Sequence, residues 1–580
     1  MDGSTVGWKD ACDGFRASAS HGSDAIVESR FEDLKPPLDP GRAPYEAERC
    51  LYCGGNGAPA PCTAACPASV DVPAFIRSIA KGQLARAAEI ILRDNPLGGS
   101  CGRVCPTEEL CEGACVLVSQ SRRPVHIGRL QRYATDAGFF SEGIEASSVA
   151  VLRTSGLKVA VIGAGPAGMA CASQLATWGY KVTVYDSRPE PGGLIRFAIA
   201  PYRLVQSPLT EEMQRIQRLG VKFHFNHPIL GPDAVRSLEG AADAVFLGVG
   251  LGEDLVVHYP GDDLPGVWES LTFIERLKTG RSPAVGHRVA VIGGGNTAID
   301  VARESLRLGA EEVTIVYRRT KEEMPAYHQE VTDAEREGVR FLWLAAPVRF
   351  IGETRLESIQ CQHMRLGNED ESGRRKPEPV LGSEFMLPVD TVIRAMGQRH
   401  RTEWHDWISD LNLTHGLIEV NPQTLQTSNA KYFAGGDAVN GGATVVDAVA
   451  MGKAAARGIR AYLQPNKVEI PQFNSYVASE SNELADQMVY HQGKATLSVD
   501  RDWCKGCNIC VEDCPAHILA LDYNEKVYVT DMTRCILCGI CAVRCPDFVI
   551  SVATGDEEIR KFSPVTMNSG GSQYAASPRE

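Results

Sequence analysis

Short apolar runs alternate with segments of helical period through the middle of the chain. Lys158-Val159-Ala160-Val161-Ile162 predicts a buried strand, Met169–Gly179 a helix and Lys181–Tyr185 a second strand. The same order returns as a strand at Arg288–Ile292, a helix at Asp300–Leu308 and a strand at Val313–Tyr317. Asp243–Gly250 and Asp390–Gly397 predict two more strands that bracket this second unit, which therefore reads as inserted into the first. Tyr432–Asp437 predicts a further strand, and a helix is expected to begin near Ala443-Thr444 and run through Ala456. Nearer the N-terminus, Val72–Arg93 carries Phe75, Ile79, Leu84, Ala88 and Ile91 at helical spacing, which suits helical hairpins. Residues 1–40 read as an extended arm, 465–494 as a polar, Pro-punctuated linker and 561–580 as a disordered tail.

A glycine turn joins strand to helix in each repeated unit. In Gly163-Ala164-Gly165-Pro166-Ala167-Gly168, the first two glycines are expected to bring backbone N–H groups close to a pyrophosphate at the helix N-terminus. Gly168 is expected to let helix and strand pack closely. Asp186 ends the second strand and suits the 2′-OH of an unphosphorylated adenosine ribose. The second turn is Gly293-Gly294-Gly295-Asn296-Thr297-Ala298, and its following strand ends in Arg318-Arg319 with no acid. An arginine pair there suits a 2′-phosphate and favours NADP over NAD; the other reading makes both solvated loop charges.

Composition narrows the class. The chain has 580 residues, 44% of them apolar, enough for several domains with sizeable cores. A formal net charge of −13 argues against nucleic acid. No apolar stretch is long enough to span a membrane, and residues 1–30 lack an apolar leader core. The expected compartment is a reducing cytoplasm, where nineteen cysteines are better metal ligands than disulfide partners.

Those cysteines are patterned. Cys504, Cys507, Cys510 and Cys514-Pro515 form C-x2-C-x2-C-x3-C-P, and Cys535, Cys538, Cys541 and Cys545-Pro546 repeat it. In that spacing three close cysteines grip one [4Fe–4S] cube and the fourth reaches the other cube, as in a two-cluster ferredoxin. Zinc is the alternative, since C-x2-C pairs also bind it. Residues 495–560 hold 11 acidic and 6 basic residues, a face that suits either a basic redox partner or simple solubility. A second rich region holds Cys50, Cys53, Cys62 and Cys66-Pro67, then Cys101, Cys105-Pro106, Cys111 and Cys115. Cys12 reads as a small apolar residue.

From about residue 45 to 465 the sequence resembles the flavoprotein family of the NADPH-dependent glutamate synthase small subunit. The same module forms the N-terminal half of dihydropyrimidine dehydrogenase and the large subunit of NADH-dependent ferredoxin–NADP oxidoreductase. The resemblance rests on C-G-R-V-C-P-T-E-E-L-C-E-G-A-C at 101–115, I-G-R-L-Q-R-Y at 127–133 and V-I-G-A-G-P-A-G at 161–168. It rests also on P-G-G-L at 191–194, V-I-G-G-G-N-T-A-I-D at 291–300, Y-R-R-T at 317–320, E-M-P-A at 323–326 and A-G-G-D-A at 434–438. Relatives usually read G-I-P-x-(F/Y)-(K/R)-L where this chain has Ala198-Ile199-Ala200-Pro201-Tyr202-Arg203-Leu204, a departure close to the flavin.

The resemblance implies FAD on the first unit, at Gly163, Gly165, Ala167, Gly168, Asp186, Gly193, Leu194, Arg203, Gly436, Asp437, Thr444 and Val445. It implies NADPH on the second, at Gly293, Gly295, Asn296, Thr297, Arg318 and Arg319. One N-terminal [4Fe–4S] cluster would take Cys50, Cys53, Cys62 and Cys115. Another would take Cys66, Cys105, Cys111 and Gln131, leaving Cys101 as a spare packed thiol; the plainer reading of Gln131 is a helix-surface amide. The C-terminal clusters would be held by Cys504, Cys507, Cys510 and Cys545, and by Cys514, Cys535, Cys538 and Cys541.

The expected architecture is multidomain α/β. A helical iron–sulfur domain occupies 41–150 and a Rossmann-like FAD domain 151–284 and 391–464. An NADP(H) domain is inserted at 285–390, and an α+β bacterial-type ferredoxin domain spans 495–560. The function implied is NAD(P)H-dependent electron transfer, with four clusters and no acid–base dyad. The partner would be a catalytic subunit or ferredoxin in a hetero-oligomer, such as a 2-oxoacid:ferredoxin oxidoreductase, a sulfite-reductase-type system or glutamate synthase. A stand-alone, electron-bifurcating NADPH:ferredoxin oxidoreductase is the alternative, and a non-turnover redox sensor or scaffold is one of another class.

Overall fold

The computed structural model describes residues 33–53, 59–119, 121–140, 155–204, 208–369, 374–464, 487–492, 495–500, 504, 509–522, 526–545 and 549–554. The expectations for Cys12, most of the 1–40 arm, Cys507 and the 561–580 tail fall outside those residues. The chain divides into two compact units. The first holds residues 65–110 and 126–475 with the N-terminal residues through Arg49; the second holds Cys50–Ala64, Cys111–Val125 and the chain from Tyr476 onward.

The first unit begins with helices α1 (Val72–Ala80), α2 (Leu84–Asp94), α3 (Gly98–Val104) and α4 (Ile127–Phe140). The apolar period of Val72–Arg93 is thus carried by two helices rather than one. The break falls at Gly82, whose φ of 69° turns the chain. Asp71 caps α1 by accepting from the Ala74 N–H, and Pro73 suits the first turn. Phe75, Ile76 and Ile79 of α1 and Ala87, Ala88 and Ile91 of α2 are buried, and α4 packs on α2 and α3.

The first nucleotide domain is a parallel sheet. β1 (Lys158–Ile162), β2 (Lys181–Tyr185), β3 (Lys222–His224) and β4 (Ala244–Leu247) lie in the order β4-β1-β2-β3, and Tyr432–Ala434 adds itself beside β4. Between β1 and β2 runs α5 (Pro166–Thr177), and α6 (Leu209–Arg218) precedes β3. The strand expected at 432–437 therefore closes the first sheet after a long excursion, as an inserted domain requires.

The second domain repeats the plan. β5 (Val267–Glu269), β6 (Arg288–Ile292), β7 (Glu312–Tyr317) and β8 (Arg340–Trp343) are parallel, with helices α7 (Asn296–Arg307) and α8 (His328–Glu337). A three-stranded antiparallel sheet follows, made of β9 (Ala345–Ile351), β10 (Ser358–Glu369) and β11 (Arg375–Pro388). β12 (Thr391–Arg394) then inserts between β5 and β6. The inserted domain is therefore wider than the expected 285–390, because β5 and β12 pair inside its sheet and not in the first. Val289, Val291, Ile315, Ile299 and Ile393 form its core.

Helix α9 (Val445–Leu463) ends this unit and lies against α5. A Cβ on Gly452 would come within 2.1 Å of the Ala167 carbonyl oxygen, so the two helices touch backbone to backbone. Two polar clips join the helical domain to the first nucleotide domain. Lys453 Nζ donates to the carbonyl oxygens of Ala68, at 2.8 Å, and Asp94. Glu212 of α6 accepts from the Ser100 N–H at 2.9 Å and the Ser100 hydroxyl at 2.6 Å.

The second unit contains a three-stranded antiparallel sheet of β13 (Gln487–Gln492), β14 (Ala495–Asp500) and β17 (Ile550–Thr554). A small sheet pairs β15 (Leu519–Leu521) with β16 (Val527–Val529). Short helices Ile509–Glu512 and Ile540–Arg544 and a 3-10 turn at Met532–Arg534 complete the described elements of this part. The linker expected at 465–494 is shorter than that, since Gln487–Gln492 pairs with Ala495–Asp500. Leu497, Val499, Ile518, Val527 and Ile550 make a core shared with six buried cysteines.

Candidate functional site

At the first glycine turn, Gly163 has φ 101°, and a Cβ there would sit 2.2 Å from the Gly248 carbonyl oxygen. A Cβ on Gly168 would strike the Gly163 carbonyl oxygen at 1.9 Å. Gly165 is different: nothing lies within 4 Å of the position its Cβ would take. Close packing thus explains Gly163 and Gly168, while Gly165 opens a cradle at the start of α5, where backbone N–H groups favour an anion. The expected FAD residues converge here. A Cβ on Gly193 would be 3.1 Å from Gly165 Cα, and one on Gly436 would be 3.1 Å from Ala167 Cβ. Asp186 is anchored to the turn, its Oδ2 accepting from Ala164 N–H at 2.6 Å and its Oδ1 from Arg188 N–H at 2.8 Å. A carboxylate has four acceptor positions, so a ribose hydroxyl remains within its capacity.

Thr444 caps α9 in a reciprocal box with Asp447. The two bonds go to the Asp447 and Thr444 N–H groups, not to those of Val445 and Val446, which begin the first turn. Such a terminus suits negative charge on a flavin ring. Burial, then the nearby Asp447 charge, raise the Asp437 carboxyl, against an N–H bond from Ala443 that lowers it. Leu194 is partly exposed beside Gly193. An adenine-dinucleotide pyrophosphate and a flavin therefore fit the cradle, the acid and the helix terminus in this set.

The second glycine turn opens into a cavity of about 520 Å³. Gly293, Gly295, Thr297, Arg318 and Arg319 all line it. Gly295 again faces open space, whereas a Cβ on Gly294 would meet the Tyr317 ring at 2.4 Å. Asn296 instead braces the neighbouring loop, its Oδ1 accepting the Tyr327 N–H at 3.0 Å. Arg318 is within electrostatic reach of Tyr259. Arg319 is only 4% exposed, and its Nε donates to the Arg375 carbonyl oxygen at 2.8 Å. Met364 of β10 and Arg374, which immediately precedes β11, line the same cavity and were not foreseen from sequence.

Arg203, expected on the flavin, is instead tied across the two nucleotide domains. Its Nε donates to Asp300 at 2.7 Å, and Nη1 and Nη2 donate to the two oxygens of Glu330 at 2.5 and 2.6 Å. Tyr327 is the other junction that sequence did not reveal. Burial raises its phenol, with further contributions from Asp447 at the cap of α9 and from Glu109 and Cys105 of the helical domain.

In the first unit the Cys66 thiol meets the N–H groups of Val70, Ala68 and Ser69, which oppose a larger upward push from burial. Cys101 is buried close by. Gln131 Nε2 donates to the Gly98 carbonyl oxygen at 2.7 Å, so its amide oxygen is the end turned away from that bond. The expected ligand Cys111 belongs to the second unit.

In the second unit the thiols form sets. Burial and then Cys50, Cys115 and Cys53 push Cys62 up to about 12. Burial and then Cys538, Cys50 and Cys115 push Cys53 up to about 12. In the ferredoxin-like part, burial followed by Cys538, Cys514 and Cys535 pushes Cys541 up to about 12. Cys514, Cys535, Cys538 and Cys541 also line one small cavity with Leu497, Ile518 and Val552. The thiol that joins Cys535, Cys538 and Cys541 thus comes from the first C-terminal run. Positive charge among gathered sulfurs, as bound iron would supply, favours their thiolate forms. Two of the expected sets are thus brought together, Cys50, Cys53, Cys62 and Cys115, and Cys514, Cys535, Cys538 and Cys541, and these suit multi-iron clusters; Cys504 and Cys545 accept backbone N–H bonds from Val527 and Val549, each at 3.4 Å.

Three family models match. Residues 27–142 match dihydropyrimidine dehydrogenase domain II, 4Fe-4S cluster; residues 157–452 match pyridine nucleotide-disulphide oxidoreductase; residues 503–550 match a 4Fe-4S dicluster domain. The small chain of glutamate synthase [NADPH] from Halomonas elongata is 38% identical over 448 residues, 75% of this chain and 93% of that one. The beta subunit of an NADP(+)-dependent formate dehydrogenase from Moorella thermoacetica is 41% identical over 437 residues, 70% of this chain and 60% of that one. The beta subunit of an NADPH-Fe(3+) oxidoreductase from Geobacter sulfurreducens is 36% identical over 439 residues, 70% of this chain and 64% of that one.

Proposed function

Because the chain belongs to the iron–sulfur flavoprotein family of the NADPH-dependent glutamate synthase small chain, we propose that it is an FAD- and iron–sulfur-dependent NADPH oxidoreductase subunit that exchanges electrons with a partner redox protein. The relatives from Moorella and Geobacter are themselves named as subunits, which supports a place in a larger assembly. The partner is a catalytic subunit or a ferredoxin.

The observation that carries this reading is the convergence at Tyr327. Its backbone is held by Asn296 at the start of the second glycine helix. Its phenol lies within electrostatic reach of Asp447 at the flavin helix and of Cys105 in the helical domain. Residues of the pyridine-nucleotide domain, the flavin helix and the helical domain thus lie within electrostatic range of one side chain.

When bound, the flavin takes a hydride from reduced nicotinamide and the clusters take single electrons, so together they convert two-electron into one-electron chemistry. The chain's residues bind and orient. Gly165 and the start of α5 hold the FAD pyrophosphate, Asp186 its ribose, and Asp437 the ribityl side. The first turn of α9, capped by Thr444, would stabilise negative charge on the flavin pyrimidine ring. Gly295 and Thr297 hold the NADPH pyrophosphate and Arg318 its 2′-phosphate. No side chain is required to move a proton in the hydride step.

Four clusters complete the reading. Their ligands are Cys50, Cys53, Cys62 and Cys115; Cys66, Cys105, Cys111 and Gln131; Cys504, Cys507, Cys510 and Cys545; and Cys514, Cys535, Cys538 and Cys541. Anaerobic purification should return one FAD and about sixteen irons per chain. Purification without a tag from native extract should bring down a second redox polypeptide. Iron near eight with all cysteines intact would remove two of the four ligand sets, and a chain isolated alone and fully active toward ferredoxin would favour the stand-alone oxidoreductase.

A further inference from the structure

The cavity beside the second glycine turn is closed on one side by a structure outside the nucleotide-binding sheet. β10 and β11 reach back from the antiparallel sheet, and Met364, Arg374 and Pro377 contribute to the cavity wall. Two ties fix this hairpin to the loop after β7. Arg319 Nε donates to the Arg375 carbonyl oxygen at 2.8 Å. The Arg375 guanidinium pairs with Glu323 at 2.5 Å, and Glu323 also accepts the Thr320 N–H at 3.2 Å. Arg319 and Arg375 therefore commit hydrogen-bonding capacity to holding the hairpin. Arg374, next to Arg375 in the chain, lines the cavity and is positioned by that attachment.

Charge in the wall supports the same division. Arg318, Arg319 and Arg374 are its cations, and Asp254 is the carboxylate among the lining residues. Asp254 accepts from the Ser270 hydroxyl at 2.6 Å and from the Leu271 N–H at 2.9 Å, so it is occupied within the protein. The end of β7 thus presents a concave surface with two arginines from separate elements, Arg318 from the strand end and Arg374 from the hairpin. A dianionic phosphate monoester suits two guanidinium groups that approach from different sides.

We infer that Arg374 is a specificity-determining residue that clamps the NADP(H) 2′-phosphate together with Arg318, and that Arg319 is a positioning residue acting through the hairpin. The inference rests on the reading of this cavity as the NADP(H) site and adds who holds the phosphate. The adenosine end of the dinucleotide lies between the strand end and the hairpin, and discrimination against NAD(H) depends on the hairpin's attachment as well as on the strand-end arginine.

The test is calorimetric binding of adenosine 2′,5′-bisphosphate and of 5′-AMP to the FAD-loaded full chain. Arg374→Ala should weaken the bisphosphate by about tenfold or more and leave 5′-AMP unchanged, and Arg374→Lys should recover part of the loss. Arg319→Ala should also weaken the bisphosphate, but the Arg319→Ala/Arg374→Ala double variant should bind no worse than Arg374→Ala alone, because Arg319 works through Arg374. Unchanged bisphosphate affinity in Arg374→Ala overturns the clamp. Additive losses in the double variant overturn the positioning role and make Arg319 a direct contact. An unmodified chain that binds the bisphosphate no better than 5′-AMP overturns the NADP(H) reading itself.

Discussion

Arg203 and Glu330 form a two-pronged ion pair across the two nucleotide domains, Nη1 to Oε1 at 2.5 Å and Nη2 to Oε2 at 2.6 Å. Around it, the Tyr202 hydroxyl donates to Asp300 at 2.7 Å, and the guanidinium groups of Arg303 and Arg307 stack on the Tyr202 ring at 4.7 and 4.4 Å. Arg303, 1% exposed, donates to Glu330 at 2.9 Å and to Glu337 at 2.6 and 3.1 Å. Removing Glu330 strips one partner from two buried arginines at once. Glu330→Ala should lower the unfolding free energy by about 3–5 kcal/mol, the range for a broken buried pair. The check is a denaturant midpoint; it should fall together with the rate of flavin reduction by NADPH, while NADP+ affinity stays as it was.

Glu212 gives a pH signature. It is fully buried, and burial pushes its carboxyl up to about 7 against the bonds from Ser100. An unfolded glutamate titrates near 4.3, so between that value and about 7 the native state holds more protons than the unfolded one. The stability this group contributes is therefore present at low pH and is lost as pH rises through that window. Glu212→Gln cannot ionise and keeps an acceptor for the Ser100 N–H. Its melting temperature relative to the parent should climb from pH 5 to pH 8; parallel curves would show that the carboxyl does not titrate there.

The two C-terminal cysteine runs are interlaced at Cys514, which sits with Cys535, Cys538 and Cys541 around one cavity. Cys514→Ser and Cys541→Ser should therefore alter the same cluster signal in electron paramagnetic resonance, and Cys510→Ser a different one. A Cys514→Ser spectrum matching that of Cys510→Ser would assign each run to its own cluster.

Much of this was legible because its signals are local. Apolar runs of five residues around a glycine turn fix strand and helix within a short window, and both nucleotide units appear where the pattern put them. The helices begin earlier than periodicity suggested, at Pro166 and Asn296, because proline and the glycine turn serve as helix starts and not as loop. The antiparallel β9–β11 sheet escaped notice, since β11 is exposed along much of its length and lacks a clean apolar alternation. Arg374 escaped with it. The domain edges at β5 and β12 were also hidden, because parallel pairing of distant strands leaves no local mark. Likewise the grouping of Cys50–Ala64 and Cys111–Val125 with the C-terminal segment depends on contacts across hundreds of residues.

Arg318 follows the end of β7 and lines the cavity, and in the proposed function it sets the coenzyme preference. Arg318→Ala should raise the NADPH Michaelis constant by about tenfold or more, the cost of a lost charge-assisted contact. NADH turnover should be nearly unchanged. Initial rates with both coenzymes decide it, and an equal effect on each would mean that Arg318 supports the fold of the site and not the phosphate.

At the centre of the proposed function, one chain takes hydride from NADPH and releases the electrons singly. The most direct measurement mixes the anaerobic, cofactor-loaded chain with NADPH while following flavin absorbance, and then adds an excess of a one-electron acceptor. The expected result is immediate bleaching of the flavin, two equivalents of acceptor reduced for each NADPH consumed, and a slower response to NADH. A flavin that stays oxidised in saturating NADPH, with full FAD and iron content, would contradict it.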